Sequence, residues 1–300
     1  MALPQPLLVT RMLTTVAAKP SCSSLQYRQL QQLARLDQDG FAVVDNITDL
    51  DDLAVIRGEI DELLRRGDVS TKELGERGSS PQIIEIPWPS KLSKRIAGSC
   101  FVQNARAISE AYFRREVAHN FDHAIIKPPF NFRETAWHQD LAYNNRFSFS
   151  DRLHWWLPLH DVTIEQGCMY YVRGSHRMGR LPHAAVAATS DALKTSLPEK
   201  ADVVSCPLKA GSATVHTRAT LHCTGPNKTS SARYAFILQF ERSTWAMRLR
   251  TSVKSLVWGP DWRTVGLFHC FALSHHSHLD TRQSLTTLTL VGSDSLKPHR

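Results

Sequence analysis

The chain is organised around the stretch Trp137-His138-Gln139-Asp140-Leu141-Ala142-Tyr143. His138 and Asp140 are separated by a single residue, and in an extended backbone residues i and i+2 point to the same side. An imidazole and a carboxylate placed in this way can reach one cation together. Two histidines and one carboxylate on one face of an iron ion leave coordination positions open on the other face, as in non-haem Fe(II) oxygenases. The stretch therefore predicts a metal site and requires a third ligand elsewhere in the chain.

A second His-x-Asp pair, His278 and Asp280, lies near the C-terminus, so this pattern alone does not identify the site. The two pairs differ in their downstream residues. The first pair precedes His222 and, eleven positions after it, Arg233, whereas the only histidine after the second pair is His299. We therefore take the first pair as the candidate site.

Arg233 lies on a predicted strand that comes after the Gly-Pro-Asn turn at residues 225–227. Its planar guanidinium can bind a carboxylate through two parallel hydrogen bonds, which a lysine cannot do as specifically. Thr224, two residues after His222, is placed to add a hydroxyl donor to the same carboxylate. This layout fits a dicarboxylic keto acid that chelates iron at one end. His216 also lies in a predicted strand and is the alternative distal ligand, but the spacing to Arg233 favours His222.

Length and composition predict a globular protein, and the sequence contains no apolar run long enough to support a membrane span. The 300 residues suit one large domain or two small ones, and they are 42% hydrophobic and 21% charged. The formal net charge is +8, but lysine and arginine are scattered, so a solvated basic surface is favoured over a nucleic-acid footprint. A positive field does suit an anionic substrate or co-substrate. The six cysteines contain no Cys-x-x-Cys pair, which argues against a zinc ribbon or a disulfide framework.

The distribution of predicted elements favours a mainly β fold with flanking helices. Helices are predicted at Leu25–Leu36, from Leu50 to Gly67 and at Val102–Ala118. A surface loop that could act as a lid is predicted at Asp68–Ser99, with Ile83–Ile86 as its one strand-like run. After Phe121, short runs of β-branched and aromatic residues recur between turn signals. These runs are Ala124–Lys127, Leu153–Leu159, Cys168–Val172, Val203–Cys206, Ala213–Thr217 and Arg233–Phe240. Helices and then many short strands predict an antiparallel double sheet with helices packed on one side, which is compatible with a double-stranded β-helix (jelly roll, cupin-like).

Several motifs, in this order, resemble those of the phytanoyl-CoA dioxygenase (PhyH) family. They are Asp39-Gly40-Phe41-Ala42-Val43-Val44, Trp137-His138-Gln139-Asp140, Trp156-Leu157-Pro158-Leu159, Glu165-Gln166-Gly167-Cys168-Met169, Gly174-Ser175-His176, His222, Asn227 and Arg233. The resemblance covers about Leu36 to Arg242 and shows no match after Trp258. It implies residues 1–35 as an N-terminal tail, 36–250 as a jelly-roll dioxygenase domain and 251–300 as a divergent C-terminal segment.

The resemblance implies an Fe(II)- and 2-oxoglutarate-dependent dioxygenase that also uses O2 and releases succinate and CO2. His138, Asp140 and His222 would bind iron, and Arg233 with Thr224 would bind the distal carboxylate of 2-oxoglutarate. Trp156 lies where the family places an aromatic residue beside the co-substrate. Hydroxylation of a small organic molecule, a secondary metabolite or an acyl thioester, is the expected reaction, because the presence of a carboxylate at position 140 disfavours halogenation.

Some features leave alternatives open. A non-catalytic metal-binding jelly-roll module is the competing function, and the sequence does not determine the oligomeric state. The first 36 residues contain no Asp or Glu. This pattern fits a tail of a cytoplasmic protein or, as the alternative, a mitochondrial or other organellar transit segment.

Gln139 and residues 144–146 are candidate substrate contacts, and His123 and Lys127 are candidate co-substrate contacts. His176 is expected to stabilise a turn.

Overall fold

Two antiparallel sheets form the body of the protein. The computed structural model describes residues 27–67, 72–74, 83–143, 151–186 and 192–243. The strands in chain order are β1 Phe41–Val44, β2 Lys72–Leu74, β3 Ile83–Pro87, β4 Val117–Lys127, β5 Thr135–His138, β6 Arg152–Pro158, β7 Met169–Val172, β8 Ala184–Ala185, β9 Leu193–Lys194, β10 Val203–Cys206, β11 Ala213–Thr217, β12 His222–Thr224 and β13 Arg233–Arg242. The major sheet has the order β1-β11-β6-β13-β4-β3-β2, the minor sheet has the order β10-β7-β12-β5, and β8 pairs with β9.

The helices precede most of the strands, as the sequence predicts. They are α1 Tyr27–Gln32, α2 Ala34–Asp39, α3 Leu50–Arg66, α4 Pro89–Leu92, α5 Lys94–Ala97 and α6 Cys100–Phe113. Helix α3 begins after Asp49, whose carboxylate accepts a hydrogen bond from the Asp52 N–H, and it ends at Gly67 in the left-handed conformation. None of the helices in the described ranges has the length and apolar character needed to cross a membrane.

One hydrophobic core lies between the helices and the outer face of the major sheet. Apolar side chains at helical spacing on α3 and α6, such as Ile56 and Ile108, pack there. The sheet contributes alternate residues of each strand, including Trp155 on β6 and Phe236 on β13. Because side chains of a strand alternate between its two faces, the residues next to these must point to the opposite face.

A second, smaller core lies on that opposite face and contains residues from both sheets. Trp156 and Ile237 from the major sheet pack with Met169 and Tyr171 from the minor sheet. The ring of Tyr171 stacks on Phe41 with centroids 4.4 Å apart. The two sheets therefore face each other across this core, as in a jelly roll, and the prediction of a mainly β double-stranded β-helix with flanking helices is confirmed.

Two local predictions are wrong. The strand-like run Ile83–Ile86 does form β3, but the rest of the segment Asp68–Ser99 is not simply a surface loop, because β3 pairs with β4 inside the major sheet and α4 and α5 come after it. The helix predicted at Val102–Ala118 begins at Cys100 and ends at Phe113, where Arg114 adopts a left-handed conformation. Residues 1–26, 144–150 and 244–300 lie outside the described residues, so the predicted tail, the predicted C-terminal segment and the second His-x-Asp pair stay predictions.

Candidate metal centre

The two sheets bring His138, Asp140 and His222 together. His138 ends β5 and lies directly opposite His222, the first residue of β12. Asp140 begins the 3₁₀ helix Asp140–Tyr143 that comes after β5. One nitrogen or oxygen atom from each residue lies within 4.8 Å of the other two. The Nε2 atom of His138 is 3.5 Å from Asp140 Oδ1, and the Nε2 atom of His222 is 3.7 Å from Asp140 Oδ2.

The backbone fixes the same tautomer in both histidines. The Nδ1–H of His138 donates to the carbonyl oxygen of Ala136, and the Nδ1–H of His222 donates to that of Thr220, at 2.8 Å in both cases. Each Nε2 therefore carries the lone pair and faces Asp140. Metal-binding histidines are oriented in this way by a hydrogen bond on the other ring nitrogen. Two neutral imidazoles and a carboxylate are a donor set that fits Fe(II).

Charges in the cluster keep the carboxylate ionised. Burial alone would raise the pKa of Asp140, but the neighbouring His154 and His222 lower it well below its ordinary value. Burial and the charge of His138 lower the pKa of His222 well below its ordinary value. Burial acts against protonation of His138 as well, but the hydrogen bond and charge of Asp140 raise its pKa. The cluster thus combines an anion with at least one neutral imidazole, which is suited to a divalent cation.

Two further histidines contact the same carboxylate. His154 Nδ1 lies 2.6 Å and His216 Nε2 lies 3.2 Å from Asp140 Oδ2. The three residues form a second group with atoms close enough to hold a metal. His216 was the sequence alternative to His222, and the structure places both beside Asp140. The Nδ1 atom of His216 contacts the Tyr171 hydroxyl, not a backbone carbonyl, so only His222 repeats the ring setting of His138.

Two buried cations lie side by side on the inner face of the major sheet. Arg233 begins β13 and pairs directly with Lys127 at the end of β4, and their exposures are 1% and 0%. Burial lowers the pKa of Arg233 to about 10. Burial and the charge of Arg233 lower the pKa of Lys127 well below its ordinary value. In the described part of the chain neither side chain forms an ion pair, and Arg233 Nε has no hydrogen-bond partner. Buried cations normally have an anionic partner, so this pair fits an anionic ligand.

Hydrogen bonds connect Lys127 to the strand that carries His222. The Nζ of Lys127 donates to Thr224 Oγ1 at 2.9 Å and to the carbonyl oxygen of Gly225 at 2.8 Å. The Thr224 hydroxyl in turn donates to Thr135 Oγ1 at 2.9 Å. Thr224 therefore contacts Lys127, and its predicted hydrogen bond to the co-substrate carboxylate stays a prediction. Thr135 joins it, although no sequence signal marked that residue beyond its position three residues before His138.

A close backbone approach holds the turn after β12. Gly167 adopts a φ of +83°, and a Cβ atom built on it would lie 2.5 Å from the carbonyl oxygen of Gly225. Only glycine allows this contact and conformation without strain. Asn227 is fully buried and donates to the carbonyl oxygens of Pro128 and Ser231 at 2.9 and 2.8 Å. The Glu-Gln-Gly and Gly-Pro-Asn motifs therefore set the turn that presents Gly225 to Lys127.

The other sequence candidates lie in different settings. Trp156 is buried on the inner face, and the guanidinium carbon of Arg233 is 5.5 Å from its ring centroid. Gln139 is not a substrate contact, because it is fully buried and its amide bonds the carbonyls of Gly179 and Ala219. His176 comes after the left-handed Gly174 in a 3₁₀ turn, as expected. His123 contacts Glu85, and residues 144–146 lie outside the described part of the chain.

Sequence reasoning missed the role of His154 beside Asp140. A signal was present, because the family resemblance places Trp156 beside the co-substrate and residues i and i+2 of a strand share a face. His154 therefore had to point inward as well, two residues before Trp156 on β6. A similar argument applies to His216, which pairs directly with His154 across β11 and β6.

Comparison with known proteins identifies the relatives of this chain. A relative from Bos taurus, phytanoyl-CoA dioxygenase domain-containing protein 1, is 21% identical over 279 residues, which cover 77% of this chain and 92% of that protein. EvdO2 from Micromonospora carbonacea var. aurantiaca, solved in complex with 2-oxoglutarate, superposes with a TM-score of 0.62 at 27% identity and covers 74% of this chain and 93% of its own.

The epimerase SnoN, solved with Fe3+, alpha ketoglutarate and nogalamycin RO, has a TM-score of 0.60 at 21% identity over 72% of this chain and 84% of its own, which shows the shared fold. The model of the family described as phytanoyl-CoA dioxygenase (PhyH) matches residues 36–235, more than half of the chain. The chain therefore belongs to the phytanoyl-CoA dioxygenase (PhyH) family.

Proposed function

We propose that this chain is an Fe(II)- and 2-oxoglutarate-dependent dioxygenase that hydroxylates a small organic molecule, a secondary metabolite or an acyl thioester. In this proposal His138, Asp140 and His222 bind the iron, and Arg233 binds the distal carboxylate of 2-oxoglutarate. Family membership, the fold and the His/Asp/His cluster support the coarser statement that the chain has an oxygenase-type function with iron, 2-oxoglutarate and O2.

The observation that carries the proposal is the presence of two complementary features between the two sheets. The His138–Asp140–His222 cluster offers three ligands, and the buried Arg233 and Lys127 offer two cations without an anion in the described part of the chain. The strand β12 links them, since it carries His222 at one end and Thr224, the hydrogen-bond partner of Lys127, at the other. A dicarboxylic keto acid satisfies both features at once.

Each protein side chain would have its own role in this site. The guanidinium of Arg233 would bind the distal carboxylate with two parallel hydrogen bonds, which its planar geometry favours. Lys127 would keep Thr224 in place and add positive charge to the same end of the site. Trp156 would cover the guanidinium and exclude water, which strengthens the interaction of opposite charges. Bound iron would supply the activation of O2, and the overall change is R–H, O2 and 2-oxoglutarate to R–OH, succinate and CO2.

The competing function is a jelly-roll module that holds a metal only for structure. Such a module has no use for buried cations, because a buried charge that lacks a partner destabilises the folded protein. Structural metal sites also have closed coordination, whereas three ligands leave positions open. The pair of Arg233 and Lys127 therefore favours the catalytic function.

A screen for succinate formation tests the proposal. Purified protein with Fe(II), 2-oxoglutarate and O2 is supplied with panels of acyl thioesters and secondary metabolites, and the Asp140→Ala variant serves as the control without a complete ligand set. We expect succinate together with a product that contains one additional oxygen atom, and neither in the control. Succinate with a product of unchanged oxygen content would overturn the hydroxylase assignment but leave the oxygenase-type function. Equal succinate formation by the control would overturn the proposed site.

A further inference from the structure

The carboxylate of Asp140 has more hydrogen-bond donors than iron ligation requires. His154 on β6 and His216 on β11 form a direct cross-strand pair, and both side chains point to the inner face of the major sheet. Both are almost fully buried, at 4% and 3% exposure. Their ring nitrogens lie 2.6 and 3.2 Å from Asp140 Oδ2, whereas Asp140 Oδ1 faces His138 Nε2 at 3.5 Å.

The distances indicate hydrogen bonds and not a second metal site. Two ligand atoms at a right angle, each about 2.1 Å from a cation, are roughly 3 Å apart. The separation of 2.6 Å between His154 Nδ1 and Asp140 Oδ2 is shorter than that and fits a charge-assisted hydrogen bond. The separation of His138 Nε2 from Asp140 Oδ1, 3.5 Å, does leave room for an ion.

The surroundings of His216 fix the orientation of its ring. Its Nδ1 accepts from the hydroxyl of Tyr171 at 3.1 Å, and that hydroxyl also contacts Thr214 Oγ1 at 2.8 Å. Tyr171 is itself fully buried and stacked on Phe41. An ionised carboxylate oxygen can only accept, so the Nε2 of His216 donates to Asp140 Oδ2, and in the neutral ring Nδ1 is then the acceptor for the Tyr171 hydroxyl.

Among the residues that the structure describes, Asp140 is the one polar partner of the His154 side chain. Its Nε2 is buried and has no hydrogen-bond partner within the described ranges, and its Nδ1 is directed at Asp140 Oδ2. An apolar residue would fill this position on the inner face without leaving a polar atom unsatisfied. The hydrogen bond from the imidazole to the Asp140 carboxylate therefore offsets the cost of burying the ring.

We propose that His154 and His216 are positioning residues that occupy Oδ2 of Asp140 with two hydrogen bonds, so that the carboxylate ligates iron through Oδ1 alone. One-oxygen ligation keeps free the coordination positions that 2-oxoglutarate and O2 need. This inference rests on the proposed function, because His154 and His216 would orient a ligand of the iron that His138, Asp140 and His222 would hold.

Matched variants at each position test the inference through metal affinity. Asparagine and leucine have similar size, but only the asparagine amide places a donor where His154 has Nδ1, so His154→Asn and His154→Leu differ in the hydrogen bond. Glutamine places a donor where His216 has Nε2, so His216→Gln and His216→Leu form the second pair. Fe(II) affinity is measured anaerobically by competition with a chelator, together with metal content and the energy of the visible band of the Fe(II)–2-oxoglutarate complex.

We expect both leucine variants to lose Fe(II) affinity roughly 10–100-fold, as removal of outer hydrogen bonds to metal ligands does elsewhere, and to shift the visible band. The asparagine and glutamine variants should stay close to the wild-type affinity and band. The two pairs are independent, so a folding defect in one leucine variant leaves the other pair decisive.

Two results would overturn the inference. One is wild-type affinity and an unshifted band in a folded leucine variant. The other is two equivalents of metal in the wild-type protein that fall to one in His154→Leu, because His154 would then be a ligand itself. Failure of the wild-type protein to bind Fe(II) would instead overturn the proposed function, and the positioning role with it.

Discussion

Replacement of Arg233 by methionine removes the guanidinium that is predicted to bind the distal carboxylate and keeps a side chain of comparable length. Arg233 is 1% exposed and its Nε has no partner in the described part of the chain, so no internal ion pair is broken. Two effects of opposite sign are expected. The unliganded protein should become more stable, and the protein should lose affinity for 2-oxoglutarate.

The structure sets the size of both effects. Burial lowers the pKa of Arg233 from 12.5 to about 10. This shift corresponds to about 3 kcal/mol of disfavoured positive charge in the folded state, an upper bound for the gain in stability. In the unfolded chain the charge is solvated, so relief of this cost raises the melting temperature by about 2–4 °C per kcal/mol. Loss of two charge-assisted hydrogen bonds should weaken 2-oxoglutarate binding by about 3–6 kcal/mol, a factor of at least about 100 in Kd.

Calorimetric titration of 2-oxoglutarate into the anaerobic Fe(II)-loaded protein measures the loss, and thermal denaturation of the metal-free protein measures the gain. Arg242→Met is the matched control, because Arg242 lies on the same strand but is half exposed and pairs with Asp151 at 3.1 Å. A keto acid without the distal carboxylate, 2-oxopentanoate, should bind wild type and Arg233→Met equally. Retention of wild-type 2-oxoglutarate affinity by Arg233→Met would refute the assignment of the carboxylate clamp.

Three further changes have defined outcomes. His222→Ala should abolish stoichiometric Fe(II) binding, and the control variant His176→Ala should retain it. Metal analysis after gel filtration measures both, and loss of iron in both variants would contradict the ligand assignment. Gly167→Ala places a Cβ atom 2.5 Å from a carbonyl oxygen at a φ of +83°. Its free energy of unfolding in urea should fall by about 1–3 kcal/mol, and an unchanged value would show that the turn can move. Lys127→Met should weaken 2-oxoglutarate binding, again by calorimetry, because Thr224 loses its hydrogen-bond donor; an unchanged Kd would restrict the clamp to Arg233.

Much of the fold is determined by local sequence signals. The predicted runs Val203–Cys206 and Ala213–Thr217 coincide with β10 and β11, because short β-branched runs between turn residues specify strands locally. The segment Asp68–Ser99 was predicted only in part: its strand-like run Ile83–Ile86 forms β3, but its place in the major sheet was not foreseen. Ile83–Pro87 is surrounded by glycine, serine and proline, and its pairing with β4 is a long-range contact that composition does not encode. The end of α6 was missed because Arg114 takes the left-handed conformation that glycine usually marks.

The candidate site, like the fold, could be predicted from the sequence only in part. His138 and Asp140 could be recognised from their spacing, and the structure brings them to His222, although their binding of iron stays a prediction. The donors around them had weaker signals: Lys127 was one of several candidate co-substrate contacts, and His154 was marked only by its position two residues before Trp156. His154 and Lys127 become neighbours of the site only when β6, β4 and β13 pair, and Gln139 turns inward because its amide finds carbonyl partners at Gly179 and Ala219. Strand register, which the sequence does not state, decides these contacts.

The most direct measurement is an anaerobic titration of the purified chain with Fe(II) and then 2-oxoglutarate, monitored by visible absorption. Two imidazoles and a carboxylate around a ferrous ion with free positions predict one Fe(II) per chain and a weak charge-transfer band that grows to saturation with one equivalent of 2-oxoglutarate. Protein that takes up no iron, or that binds iron but develops no band, would contradict the account.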